Sequence, residues 1–199
     1  MPRRVLSSVL VMLAACAAPT PPAVPPEPTA PPPVATEGFV SARTAAVVPM
    51  SVPELRAFML ERPLLTFLEP TENVSPPRKA EVLSGTWSEV GAVRRLRLTD
   101  GHYVIERVLE DEPELFRYQV WVFTNAAGRG VDQIIGEQRF VALGPDETRY
   151  EWDYNIKPKN TVTRVFVRRL VEREIQPFLD DGLQAFAAAA REEAARRSP

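Results

Sequence analysis

Between residues 85 and 156 apolar and polar side chains alternate in short runs separated by turn signals. In the last run Thr148, Tyr150, Trp152, Tyr154 and Ile156 share one face, and Arg149, Glu151, Asp153 and Asn155 share the other. Strict alternation marks a strand with one buried face. Earlier runs cover residues 91–98, 103–109, 116–123 and 133–143, with a turn at 99–101 and a break at 110–114. A weaker run at 81–90 contains Trp87, and residues 39–48 fit a first strand. The pattern predicts an antiparallel meander with one solvated face.

Helical signals flank the meander. Ser51 is a good N-cap, Pro53 suits the first turn, and Glu54 sits three residues after the cap. Leu55, Phe58 and Met59 are spaced for one face, and Pro63 stops the helix. Residues 64–68 read as a second short helix or turn, and 69–79, with three prolines, as a loop. From Thr161 a long helical stripe runs through Val162, Val165, Phe166, Leu170, Ile175, Phe178, Leu179, Leu183, Phe186 and Ala190. Pro177 must kink or restart this helix, because it lacks a donor and clashes with the preceding turn. Gly182 weakens it further. The competing reading makes residues 161–168 one more strand, with the helix starting near Glu172. The stripe must be buried against the sheet. A curved sheet gripping a helix leaves space between them, and that space is a candidate ligand cavity.

Composition adds an address. The chain has 199 residues, 45% of them hydrophobic, and a net charge of −2, so no nucleic-acid footprint is present. Arg3 and Arg4 precede an apolar stretch at 5–15 that is too short to span a bilayer core of ~30 Å. This is a secretory signal layout. Leu13-Ala-Ala-Cys16 resembles the lipobox of bacterial lipoproteins, which implies cleavage before Cys16 and a lipid on its thiol. No other cysteine exists to form an intrachain disulfide. Ala17 and Ala18 follow where an Asp would favour the inner membrane, so the expected site is the periplasmic face of the outer membrane. The expected organisation is a signal peptide at 1–15, a lipidated Pro-rich tether at 16–38 and a folded domain at 39–196. As polyproline II, at ~3.1 Å per residue, the tether would lift the domain roughly 50–60 Å from the membrane.

Several segments together resemble the START/Bet v 1-like, helix-grip superfamily (SRPBCC), nearest its polyketide cyclase/dehydrase-like branch. They are residues 51–58, 87–91 and 91–94, Asp100-Gly101, residues 106–109, Tyr118 and the Thr148 strand. The resemblance implies an α+β fold: a curved antiparallel sheet of about seven strands around a long C-terminal helix, with two short helices after strand 1. It says little about function, because the superfamily hosts carriers, receptors, cyclases and oxygenase subunits. The Gly-x-x-Arg strand, tight turn and Glu-bearing strand also resemble plant abscisic-acid receptors, but the turn at 99–102 is too short for a hormone-gating loop. No Cys-x-His pair is present, which excludes the iron–sulfur oxygenase branch.

Candidate chemistry centres on Glu106 and its neighbour Arg94. Val104 and Val108 share parity with Glu106, Tyr103, Ile105 and Leu109 take the other, and both sets are apolar, so parity stays open. Glu106 is then a surface ion pair, a cavity group that orients a ligand, or a catalytic acid. Tyr118, Val120, Tyr150, Trp152, Tyr154 and Phe178 are candidate cavity walls. His102 reads as a surface turn residue with no orienting partner, and one imidazole cannot build a His-based zinc site. Arg94, Arg95 and Arg97 read as a solvated face balanced by Glu106, Glu110 and Glu112. Arg164, Arg168, Arg169 and Arg173 read as an exposed face pairing with Glu172 and Glu174. The expected function is envelope-anchored binding of a hydrophobic or amphipathic small molecule, lipids included, with no cofactor, metal or nucleic acid. The alternatives are a cyclase-like enzyme, for which no acid–base set is visible, and an interaction lipoprotein with a filled cavity. Nothing in the sequence sets the oligomeric state.

Overall fold

The runs of alternating residues become one antiparallel sheet in a computed structural model that describes residues 19–197. Its strands are β1 (Val40–Val48), β2 (Pro77–Ser84), β3 (Val93–Leu98), β4 (Tyr103–Glu112), β5 (Leu115–Trp121), β6 (Val131–Gly144) and β7 (Glu147–Pro158). Their spatial order is β1-β7-β6-β5-β4-β3-β2, so each meander strand pairs with its successor and β1 closes the far edge on β7. Helix α1 (Val52–Glu61) and a 3₁₀ turn (Leu64–Phe67) follow β1. The C-terminal rod is α2 (Thr161–Leu170), a π turn (Val171–Ile175) and α3 (Gln176–Arg197). The signal-like segment and Cys16 lie outside the described residues.

Local chemistry explains these elements. At α1, Ser51 Oγ accepts from Glu54 N and Glu54 Oε2 accepts from Ser51 N, the reciprocal cap expected from the spacing. At α2, Asn160 Oδ1 accepts from Thr163 N at 2.9 Å, so residues 161–168 are helix rather than strand. The π turn stands just upstream of Pro177, whose ring would meet the Arg173 carbonyl in a regular helix. Gly182 is a packing site: a Cβ there would stand 2.4 Å from Leu68 Cδ2.

Two boundaries differ from the sequence reading. The acidic segment does not end β4: beyond a bulge between Val108 and Glu110 the strand continues, with Asp111 opposite Phe116 and Glu112 opposite Leu115. Backbone pairing outweighs the low strand propensity of exposed acids. Trp87 is not in a strand, because the chain leaves β2 at Gly85, where φ is +70°.

The rod fills the sheet's concavity unevenly. Phe186 of α3 is fully buried against Phe58, Phe67 and Tyr150, with ring centroids 5.4, 5.5 and 5.8 Å away. Tyr150 stacks on Phe140 at 5.1 Å, completing an aromatic plug over the first half of β7. Val162, Val165 and Phe166, expected in the buried stripe, are instead exposed, because α2 buries its Val167 side. Among the described residues no helix is long and apolar enough to cross a membrane.

Part of the convex face is dry. Arg95, Tyr103, Ile105, Gln119, Trp121, Gln133 and Ile135 point outward and are all buried. What covers them is the Pro-rich segment itself. From Pro19 it crosses the sheet from the β3–β4 turn towards β7. His102 Nε2 meets Pro19 O at 3.2 Å, Arg95 Nη1 donates to Pro26 O at 2.8 Å, and Trp121 Nε1 donates to Thr29 O at 3.1 Å. Gln119 Nε2 and Gln133 Nε2 donate to Pro32 O and Pro33 O at 3.1 and 3.0 Å. Lys157 Nζ donates to Glu37 O at 2.6 Å, where the strap turns into β1. Residues 19–37 are therefore a strap lying on the domain, not a spacer extending from it. Two further expectations change with it. His102 is buried, not a surface residue, and Arg95 is held inside a bonded network rather than on a solvated face.

Removing residues 19–37 is expected to shift Trp121 emission to the red. It should lower stability by several kcal/mol, about 1 kcal/mol for each side-chain-to-carbonyl bond lost. Denaturant titrations followed by tryptophan fluorescence check this, with Trp121→Phe separating its signal from Trp87 and Trp152.

Candidate functional site

The aromatic plug ends near the middle of β7. Beyond it, sheet and rod enclose a cavity of about 120 Å³. Its floor is the concave face: Leu96, Val104, Val120, Ile134 and Ile156. Its roof is Leu170, Ile175, Phe178 and Leu179 of the rod, with Leu65 and Leu68 alongside. Into this apolar space come Glu106, Tyr118, Trp152 and Tyr154.

The register puts Glu106 here. Arg94 lies opposite it on β3 and Val120 opposite it on β5. Glu106 is 3% exposed and accepts a hydrogen bond from Arg94 Nε. The Arg94 guanidinium lies 3.5 Å from the centroid of Trp87, which shields it from outside. Arg94 itself stands behind Glu106 and does not line the cavity. Sequence reasoning left a surface ion pair, a cavity group and a catalytic acid as alternatives; Glu106 is ion-paired, but the pair is buried and Glu106 lines the cavity. Burial pushes its carboxyl pKa up, and the attraction of Arg94 offsets this only in part.

The tyrosines divide. The Tyr118 hydroxyl accepts from Trp152 Nε1 at 3.1 Å, leaving its own proton uncommitted. The Tyr154 hydroxyl has no hydrogen-bond partner among the described residues, and its ring packs edge-on against Trp152 at 6.0 Å. Burial raises both phenol pKa values well above the ordinary range, with Glu106 adding to each shift. Both therefore stay protonated. Deep in the cavity stand one carboxyl and two phenol O–H groups among mostly apolar neighbours, with the polar Asn73, Ser75 and Asn125 also in its lining. Tyr150 belongs to the plug and not to the cavity. Its hydroxyl is buried without a hydrogen-bond partner among the described residues, near Arg56. Phe178 and Val120 line the cavity as expected.

Sequence reasoning missed the mouth. Asn73, Ser75, Asn125, Ala127 and Leu170 line both the cavity and an open groove of about 810 Å³ outside it. A pattern search could not find them, because three separate segments supply them. Nor does the arginine face of α2 pair as expected: Arg164 donates to Gly38 O and Phe39 O, while Glu174 accepts from Asn73. Among the described residues no cluster of His, Cys, Asp and Glu side chains is arranged to hold a metal ion.

No family model matches the chain, and no curated protein matches its sequence. Solved structures do match its fold. A START superfamily protein from Mycobacterium smegmatis is 14% identical, with a TM-score of 0.54, covering 78% of this chain and 99% of its own. The Zhui aromatase/cyclase from a Streptomyces strain is 18% identical, with a TM-score of 0.53, covering 81% of this chain and 96% of its own. Norcoclaurine synthase from Thalictrum flavum, in complex with dopamine and hydroxybenzaldehyde, is 17% identical, with a TM-score of 0.53, covering 81% and 91%. The chain shares the helix-grip fold of these structures, a curved antiparallel sheet around a long C-terminal helix. Identities this low speak to architecture, and chemistry is argued from the cavity.

Two outcomes are expected from the geometry. A Cβ at Gly136 would stand 2.0 Å from Tyr118 Cζ, so Gly136→Val is expected to push the ring off the wall and break its bond to Trp152. The cost should be about 1–3 kcal/mol by denaturant titration. For Glu106, the raised pKa means the folded state keeps its proton to higher pH than the unfolded chain does. Its contribution is therefore fully present below about pH 4.3 and is lost as pH rises through the raised value. The stability of the wild type relative to Glu106→Gln is expected to fall over that window and then stay flat, read by titrations at a series of pH values.

Proposed function

We propose that this protein binds a hydrophobic or amphipathic small molecule in the cavity between sheet and rod, and that it does so as a lipoprotein anchored through Cys16. The observation that carries the binding reading is the largely apolar cavity with Glu106, Tyr118 and Tyr154 set into its wall. Apolar burial supplies affinity at ~25 cal/mol per Å², and the three polar groups fix orientation. At about 120 Å³ the cavity is somewhat smaller than the ~150 Å³ engineered void that takes up benzene. A lipid-sized guest therefore needs the mouth at Leu170 and Asn125 to open. The anchor reading rests on the lipobox-like Leu13-Ala-Ala-Cys16, with the outer membrane's periplasmic face as the address. Its proposed processing removes residues 1–15 and leaves Cys16 as the first residue of the mature chain.

A second reading is catalytic. Glu106, whose carboxyl pKa burial pushes up, shares the cavity with two phenols, which is the meeting of acid and tyrosine that a cyclase-like reaction needs. Two of the structurally similar proteins are enzymes.

Native mass spectrometry of the domain, purified from envelopes without detergent, is expected to show a retained small molecule. Val120→Trp fills the floor of the cavity and is expected to weaken binding of a fluorescent fatty-acid probe at least 10-fold, with the thermal midpoint kept. A clean apo mass together with no thermal shift across a panel of lipids overturns the binding reading. Chemical change of a bound guest by the wild type, lost in Glu106→Gln, favours the catalytic one.

A further inference from the structure

The groove outside the cavity is where two unrelated features meet. One is the start of the strap: Pro19 and Pro21 line the groove beside Asp100 and His102. The other is α2, which contributes Thr163, Phe166, Val167 and Leu170. The exposed arc of that helix is apolar, with Val162, Val165 and Phe166 at 70%, 54% and 66% exposure. Positions i, i+3 and i+4 share a helix face, so these three form one patch. Arg129 on the groove and Arg168 and Arg169 on α2 are exposed and make no ion pair among the described residues. Two acids, Glu72 and Asp100, also line the groove, and Asp100 accepts from His102 N.

Chain length joins these facts. Cys16 precedes Pro19 by three residues, a reach of at most roughly 11 Å. The Pro19 end of the strap is bonded to His102, so chain between Cys16 and the sheet cannot serve as a long spacer. The geometry points to a membrane-docking surface at this end of the domain, formed by Val162, Val165 and Phe166 with Arg129, Arg168 and Arg169, that turns the cavity mouth towards an anionic phospholipid bilayer. The inference rests on the lipidation of Cys16 proposed above. Apolar side chains enter the headgroup boundary, and unpaired arginines face lipid phosphates at about 1 kcal/mol each. A guest then passes between bilayer and cavity through Asn73, Ser75, Asn125, Ala127 and Leu170 without crossing open water.

The test uses full-length lipidated protein in vesicles of phosphatidylethanolamine and phosphatidylglycerol that carry spin-labelled quencher lipids. A bimane label is placed at Lys159→Cys, next to α2, or at Leu143→Cys, at the opposite end of β6. Quenching is expected to be at least 3-fold stronger at position 159 than at 143. Adding V162D and F166D is expected to bring 159 down to the level of 143 while lipidation, read by mass, persists. Equal quenching of the two labels in protein whose Cys16 carries lipid overturns the docking surface and leaves the anchor reading standing. An unmodified Cys16 in envelope-derived protein overturns both. A photo-crosslinker at Phe166 that captures a protein instead of phospholipid in intact envelopes also overturns the docking surface.

Discussion

A polyproline segment presents carbonyls and almost no donors, so only a surface rich in side-chain donors can hold it. The convex face of this sheet is such a surface. Arg95, Gln119, Trp121 and Gln133 each donate to a strap carbonyl. The contacts are mutually dependent. Buried amides and an indole N–H need acceptors, and strap carbonyls brought out of water need donors. Gln119 and Gln133 are also bonded to each other at 2.7 Å, and Arg107 holds the Gln119 oxygen at 2.8 Å, so bonds within the sheet orient these donors towards the strap. Ile105 and Ile135 are buried between these polar groups. Where it crosses β4 to β6 the strap thus buries their outer side as well, at Ile105, Gln119, Gln133 and Ile135, an arrangement more usual for parallel sheets clad in helices.

That double cover explains what the sequence showed and what it hid. In β7 the alternation is clean because its outer residues, from Arg149 to Asn155, stay clear of the strap. In β4 no choice of face could be made, because Ile105 is buried under the strap and Val104 and Glu106 at the cavity. Two-sided burial removes the alternation that distinguishes an inner face from an outer one. The Pro-rich segment looked like a spacer for a related reason. Local composition records its missing donors, but not the donors waiting on strands 60 to 100 residues later in the chain. His102 carried no signal, since its partners Thr124 and Pro19 come from distant segments. The caps at Ser51 and Asn160 and the disturbance before Pro177 needed no distant partner. Those at Ser51 and Pro177 were accordingly legible. The Asn160 cap makes residues 161–168 helix rather than strand, a choice that periodicity alone had left open.

On the concave side the governing fact is uneven filling. The rod is long enough to cover the whole concavity, but its large side chains gather at Phe186, where Phe58, Phe67, Phe140 and Tyr150 pack around it. Opposite the cavity the rod offers Leu170, Ile175, Phe178 and Leu179 and leaves a void. An empty apolar void costs stability through lost dispersion contacts. That side chains fill the neighbouring half closely but leave this half to a cavity supports the binding reading proposed above. The π turn lies over this same half, so the rod is least regular where the cavity is roofed.

The polar groups in the void narrow what belongs there. Glu106 is a carboxyl whose compensation comes from one side only: Arg94 and, behind it, Trp87. Its cavity-facing side has no protein partner among the described residues, and neither does the Tyr154 hydroxyl. A guest that is pure hydrocarbon strips remaining solvent from these groups and gives nothing back, which raises the desolvation cost. A guest with a hydroxyl or amine near one end donates to Glu106, and one with a carbonyl accepts from Tyr118 or Tyr154. On the binding reading proposed above, the wall would favour an amphipathic molecule, with its polar end at Glu106 and its apolar body along Val120 and Ile134. Such molecules partition into bilayers, which is the same chemistry that the arginines and exposed valines beside the mouth would meet.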